Sequence, residues 1–169
     1  MGTGYVFRCK DCGKEYGMSF GLGFGYSDEC QKLRQAALSG ELGDEWRRIM
    51  SENEYYIIKA ENYLYYCRNC GRWEFGPKLS IYAPKDLEDL LEQQRGDKTV
   101  REWGYDPWGL MSKEDYKLIR RYRHVCPECK KAMKQYGEHD WESFHKLHLK
   151  CPDCNGELAF DESTGIMWD

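Results

Sequence analysis

Cys9-Lys10-Asp11-Cys12-Gly13, Cys67-Arg68-Asn69-Cys70-Gly71, Cys126-Pro127-Glu128-Cys129 and Cys151-Pro152-Asp153-Cys154 hold eight of the nine cysteines of this 169-residue chain. Two cysteines at i and i+3 let one tight turn aim both sulfurs at a single point. Two such turns complete a four-sulfur tetrahedron, with metal–sulfur distances of about 2.3 Å for zinc. Four knuckles therefore predict two metal ions, with Cys9, Cys12, Cys67, Cys70, Cys126, Cys129, Cys151 and Cys154 as ligands. Only 21 residues part Cys129 from Cys151, against 54 between Cys12 and Cys67. Proximity pairs the third knuckle with the fourth and leaves the first to close with the second, although spacing alone leaves an interleaved pairing open.

The flanks of the knuckles read as strands. Tyr5-Val6-Phe7-Arg8 leads into the first, and Lys14-Glu15-Tyr16 follows it. Tyr63-Leu64-Tyr65-Tyr66 leads into the second, and Arg72-Trp73-Glu74-Phe75 follows. Gly13 supplies the positive φ with which a knuckle reverses the chain and turns backbone N–H groups toward the sulfurs. On these residues, aromatic-x-C-x-x-C-G-x-x-Tyr, the first knuckle resembles that of rubredoxins and the wider zinc-ribbon group. In general layout the chain is similar to small uncharacterised bacterial proteins with two zinc ribbons. The resemblance implies a local metal-binding structure, an α+β fold of two zinc-ribbon-like antiparallel β units with helical insertions, and no particular activity.

Between the first two knuckles, Gly17-Met18-Ser19-Phe20-Gly21-Leu22-Gly23-Phe24-Gly25 reads as a glycine and aromatic strand or loop. It lacks the lysine and Ser/Thr of a phosphate-cradling loop, and Asp28 and Glu29 at the next helix start would repel an anion. A helix is expected over 28–39, closed by Gly40, and a second over 44–50 with Trp46, Ile49 and Met50 on its apolar side. These helices read as an insertion packed on the metal-bearing sheet. Cys30 shares a face with Leu33 and Ala37, as a small buried hydrophobe does. Strands follow over 55–60, 63–66, 72–75 and 79–82, then a helix over 84–94 with Leu87, Leu90 and Leu91 inward. Residues 1–95 form the expected N-terminal unit, 96–111 a linker and 112–169 a compact C-terminal ribbon. That ribbon opens on the capping box Ser112-Lys113-Glu114-Asp115 and an extended run to Val125. It continues with a strand at 132–136, a short helix at 140–147 and a closing hairpin from 157–160 and 166–168.

Composition sets the function classes. No apolar run approaches the roughly 20 residues of a bilayer span. Residues 1–8 show no charged segment followed by a hydrophobic stretch, so the cysteines read as metal ligands in a reducing cytoplasm rather than as disulfides. Charge is uneven. Residues 1–112 carry 15 basic and 18 acidic groups, 113–150 carry 10 and 6, and 151–169 carry none and 5. The basic part concentrates Lys117, Arg120, Arg121, Arg123, Lys130, Lys131 and Lys134 against Glu128 alone, with Tyr116, Tyr122 and Tyr136 interleaved. Such a stretch is a candidate nucleic-acid surface, although a net charge of −4 opposes whole-surface attraction to a polyanion.

Zinc is expected over iron, because the rubredoxin pattern stops at the knuckles; a rubredoxin-like iron redox protein is the alternative. His124, His139, His145 and His148 all follow residue 112, and with cysteine sufficient for the metals they read as surface groups rather than further ligands. Four-cysteine sites leave no coordination position for water, and no G-x-S-x-G or H-E-x-x-H occurs, so an enzyme is the less expected class. The reading is a cytoplasmic structural-zinc protein that acts as an interaction or scaffold module toward a protein partner. Nucleic-acid binding through 117–134 is the runner-up.

Overall fold

β-branched or aromatic residues flank the first two knuckles, and the computed structural model, which describes residues 2–21, 26–96 and 116–168, turns those flanks into strands. In chain order the elements are β1 (Gly2–Cys9), β2 (Glu15–Gly21), α1 (Tyr26–Ser39), α2 (Asp44–Glu52), β3 (Ile57–Ile58), β4 (Asn62–Tyr66) and β5 (Trp73–Pro77). Then come β6 (Ile81–Pro84), α3 (Leu87–Gly96), β7 (Tyr116–Arg120), β8 (Lys134–Tyr136), a 3-10 turn (Glu138–Asp140), α4 (Trp141–Phe144) and β9 (Leu158–Trp168). The described strands form two antiparallel sheets, and with the helices they make an α+β fold with a β-rich core.

The chain divides into two compact units, each drawn from separated stretches. The first comprises Met1–Phe24, Glu61–Lys78 and Arg123–Asp169; the second comprises Gly25–Ala60 and Leu79–Tyr122. The expected linker 96–111 lies outside the described residues except for Gly96, which closes α3, and so does the Ser112 capping box.

In the first unit a six-stranded sheet runs β5-β4-β2-β1-β9, with β8 also paired to β4. Phe7, Met18, Phe20, Leu64, Tyr136 and Leu158 point from the strands into its core, and Leu149, Cys9 and Cys151 belong to the same cluster. Phe144, seated on α4, closes this core. Its ring meets Tyr5, Phe7, Phe20 and Phe160 at centroid distances of 5.6, 5.7, 5.5 and 5.4 Å. Such aromatic pairs add about 0.5–1.5 kcal/mol each beyond area burial. β1 and β9 pair antiparallel from Gly2 opposite Trp168 to Cys9 opposite Leu158. Between Gly4, which faces Ile166, and Val6, which faces Asp161, the register shifts. The closing hairpin expected from 157–160 and 166–168 is therefore one irregular strand, because both segments find their partner in β1 rather than in each other.

The second unit carries a three-stranded sheet, β3-β6-β7. Here α1 and α2 have their own core. Ala37 and Met50 pack with Ile58 and Ile81, and Leu33, Trp46 and Ile49 lie against them. This corrects the expectation that the helices pack on the metal-bearing sheet. Tyr55 to Tyr66 explains it, since β3 and β4 lie close in sequence yet join different sheets. Cys30 is buried beside Ile57 and Tyr116, as expected of a small hydrophobe. Gly40, at φ 92°, ends α1, and the Trp46 indole N–H donates to the Leu79 carbonyl at 2.7 Å. Arg120 grips Glu45 through two bonds of 2.7 and 2.9 Å, with its guanidinium 5.0 Å from the Trp46 ring centre. The third helix starts later than expected, at Leu87, because Pro84 still belongs to β6.

Candidate metal centres

One backbone design is used four times. The N–H of the first cysteine donates to the carbonyl five residues on: Cys9 to Lys14, Cys67 to Arg72, Cys126 to Lys131 and Cys151 to Gly156, at 2.8–2.9 Å. The N–H four residues on returns to the cysteine carbonyl, from Gly13, Gly71, Lys130 and Asn155, at 2.9–3.0 Å. That returning residue has φ of 71°, 75°, 59° and 61° respectively. The turn demands the left-handed region, which glycine adopts without strain and Lys130 adopts against its own side chain. The first cysteine of each knuckle is buried, and the second is exposed or half-buried.

The knuckles do not pair as proximity suggests. Cys9, Cys12, Cys151 and Cys154 form one group of four, and Cys67, Cys70, Cys126 and Cys129 form the other; within each group the sulfurs lie within 4.8 Å of one another. The pairing is nested, with first to fourth and second to third, which overturns the sequential assignment. Strand pairing is the cause. The first knuckle ends β1, the fourth leads into β9, and these strands are antiparallel neighbours, so both knuckles arrive at the same end of the sheet. The ladder even continues past β1, as Lys10 N–H donates to the Glu157 carbonyl at 2.9 Å. Likewise Cys67 follows β4, whose Tyr66 faces Lys134 of β8, and the third knuckle precedes β8. Each metal group thus draws one knuckle from either side of residues 96–111.

Sulfur spacing fits a tetrahedral ion. Cys9 and Cys154 are 3.4 Å apart, Cys12 and Cys151 3.8 Å, Cys67 and Cys129 3.4 Å, and Cys70 and Cys126 3.5 Å. A zinc tetrahedron with bonds of about 2.3 Å has edges of about 3.8 Å, whereas a disulfide would need about 2.05 Å. All of these cysteines are free. Both groups can hold a metal ion and are compatible with zinc ribbons.

Electrostatics call for a cation. At Cys9, hydrogen bonds from the Cys12 and Asp11 N–H groups outweigh burial and lower the thiol pKa. Burial raises that of Cys67, but the Cys70 and Asn69 N–H groups bring it below its ordinary value. Burial likewise acts on Cys151, where bonds from Tyr16 and from the Cys154 and Asp153 N–H groups win and bring the pKa down to about 6. Cys70 and Cys154 hold their protons instead. The Arg72 N–H lowers the pKa of Cys70 and the Gly156 N–H that of Cys154, but the neighbouring sulfurs push both up to about 12. Four thiolates at such distances repel strongly unless a cation sits among them.

The outer group has a built surround. The Tyr16 hydroxyl lies 3.0 Å from Cys151 Sγ and 2.6 Å from an Asp153 carboxylate oxygen, and Lys14 reaches Asp153 at 2.5 Å. Burial, then Asp153 and Cys151, raises the Tyr16 pKa and keeps the phenol protonated. Trp73 stands edge-on to Tyr16 at 5.8 Å and donates to the Lys150 carbonyl. Tyr16 and Asp153 are neighbours of this group that ligand spacing alone does not identify. Their signal in the sequence is a tyrosine four residues after Cys12 and an acid inside the fourth knuckle.

The candidate nucleic-acid stretch is divided. Lys117, Arg120 and Arg121 fall in the second unit, and Arg123, Lys130, Lys131 and Lys134 in the first. Arg120 is committed to Glu45. Lys130 donates to the Pro127 carbonyl, and Lys131 to Asn69 at 2.8 Å. Among the described residues no histidine joins a metal group; His124 bonds Glu74 at 2.6 Å and stacks on Tyr65. No described helix is long and apolar enough to cross a membrane. No protein-family model matches the sequence, and no curated protein and no solved structure matches it.

Proposed function

We propose that the protein binds two structural zinc ions, one in each four-cysteine group, and works in the cytoplasm as an interaction or scaffold module. The observation that carries this reading is the completeness of each group: four sulfurs within 4.8 Å of one another, with buried first cysteines and inward backbone N–H groups. A zinc ion held by all four has no position left for water or substrate, which catalytic zinc requires. Its contribution is to folding, with roughly 10–16 kcal/mol of apparent binding free energy per structural site. Partners then meet the surfaces that the ions hold in place.

Elemental analysis of the purified chain tests the reading. Two zinc ions per chain and a colourless solution are expected. A red protein with iron–thiolate absorbance would instead establish the rubredoxin-like alternative, and one ion or none would overturn the two-site assignment.

A further inference from the structure

The two metal groups differ in how their surrounding cations are balanced. In the outer group Lys10 and Lys14 of the first knuckle each meet a carboxylate of the fourth, Glu157 at 2.8 Å and Asp153 at 2.5 Å. In the inner group Arg72 has carboxylate partners, Glu74 at 3.2 Å and Glu128 at 2.9 Å. Arg68, Lys131 and Lys134 form no ion pair among the described residues. Lys131 contacts the neutral Asn69, and Lys134 lies 4.5 Å from the ring centre of Tyr136. Cys67, Arg68, Asn69, Lys131 and Lys134, with Ala132 and Met133, line a shallow cleft of about 300 Å³. No carboxylate is among its lining residues.

Three like charges gathered without a carboxylate partner outnumber the net charge of −2 that four thiolates around a zinc ion would carry, and a ligand with several negative charges meets the surplus. Size and total charge decide which ligand. A nucleic acid is longer than this cleft and would run onto the surface of a chain whose net charge is −4. The aromatic ring under Lys134 is buried, so bases find no stacking surface there. A short acidic peptide places several carboxylates within the cleft, and beyond a Debye length of about 8 Å it does not feel the rest of the chain.

We propose that this cleft docks an acidic segment of a protein partner, with Arg68, Lys131 and Lys134 facing its carboxylates. The inference rests on the reading of the protein as an interaction module and names the chemistry of the partner. Anisotropy with the zinc-loaded full chain and a short labelled Asp/Glu peptide tests it, with a single-stranded oligonucleotide of equal charge as competitor. The peptide should bind, and binding should weaken between about 50 and 200 mM salt. Lys131→Glu with Lys134→Glu should weaken it at least about tenfold, or 1.4 kcal/mol. Lys117→Glu, in the other unit, should leave it unchanged. Zinc content is read on the same samples, and Arg68→Gln repeats the comparison if the double reversal releases metal. No peptide binding at low salt, affinity unchanged in the variants, or tighter binding of the oligonucleotide would each overturn the docking inference while zinc content stays at two. A zinc-free parent protein would instead overturn the reading beneath it.

Discussion

Cys9 Sγ stands 3.4 Å from Cys154 Sγ across 145 positions of sequence, and inside that closure Cys70 Sγ stands 3.5 Å from Cys126 Sγ across 56. Removing sulfurs two at a time reads this nesting directly. Cys12→Ser with Cys154→Ser strikes one group and should leave one zinc per chain. Cys12→Ser with Cys70→Ser strikes both and should leave none. Metal analysis that gave the opposite pattern would restore the sequential pairing.

The repeated turn makes a matched pair of substitutions informative. A Cβ on Gly13 would meet nothing within 4 Å, so Gly13→Ala reports the backbone conformation alone. It should destabilise by about 1–2 kcal/mol, the usual cost of a left-handed residue. Lys130→Gly relieves the same strain at φ 59° and should stabilise by up to about 1 kcal/mol. Thermal unfolding of the zinc-loaded variants checks both signs.

Tyr16 bears on the outer group alone. Tyr16→Phe keeps the ring beside Trp73 and removes the hydroxyl shared by Cys151 and Asp153. Loss of such a supporting bond weakens metal affinity by about 10–100-fold. Competition with a chromophoric chelator should therefore find one ion released earlier than in the parent and the other unmoved. Equal release of both ions would contradict the separate surrounds described above.

In the second unit, the hydrogen bonds from Arg120 hold the Glu45 carboxyl below its ordinary pKa. A folded-state pKa below the unfolded one gives stability that is present above the unfolded value and lost as pH falls through the folded value. Glu45→Gln should lower the unfolding midpoint at neutral pH, and the gap from the parent should close in acid, below the usual glutamate range. A gap that persists there would show that the charge of Glu45 is not what matters.

The ligand set is legible in the sequence because an i, i+3 thiol pair defines its own turn, whatever surrounds it. The helices are legible where punctuation is strong, as at Gly40 after α1. Knuckle pairing is not, because it depends on β1 choosing β9, and that choice lies in packing such as Phe7 and Phe160 against Phe144. Proximity is also a weak guide energetically. Enclosing the 138 residues between Cys12 and Cys151 rather than 21 raises the loop-closure cost by only about 2 kcal/mol, which two buried core side chains can offset. The basic stretch is divided between the two units for a related reason. Lys117 and Lys134 are 17 positions apart, yet β7 and β8 join different sheets.

Nesting also imposes an order on synthesis. The inner four sulfurs are all made once Cys129 has been added, and β4 has both β5 and β8 available by Tyr136. The outer four wait for Cys154, 25 residues later. At about 5–20 residues per second, that is a delay of roughly 1–5 s. The first knuckle spends that interval without its partner thiols on a nascent chain, and an ion in the outer group would fasten the earliest cysteines to the latest.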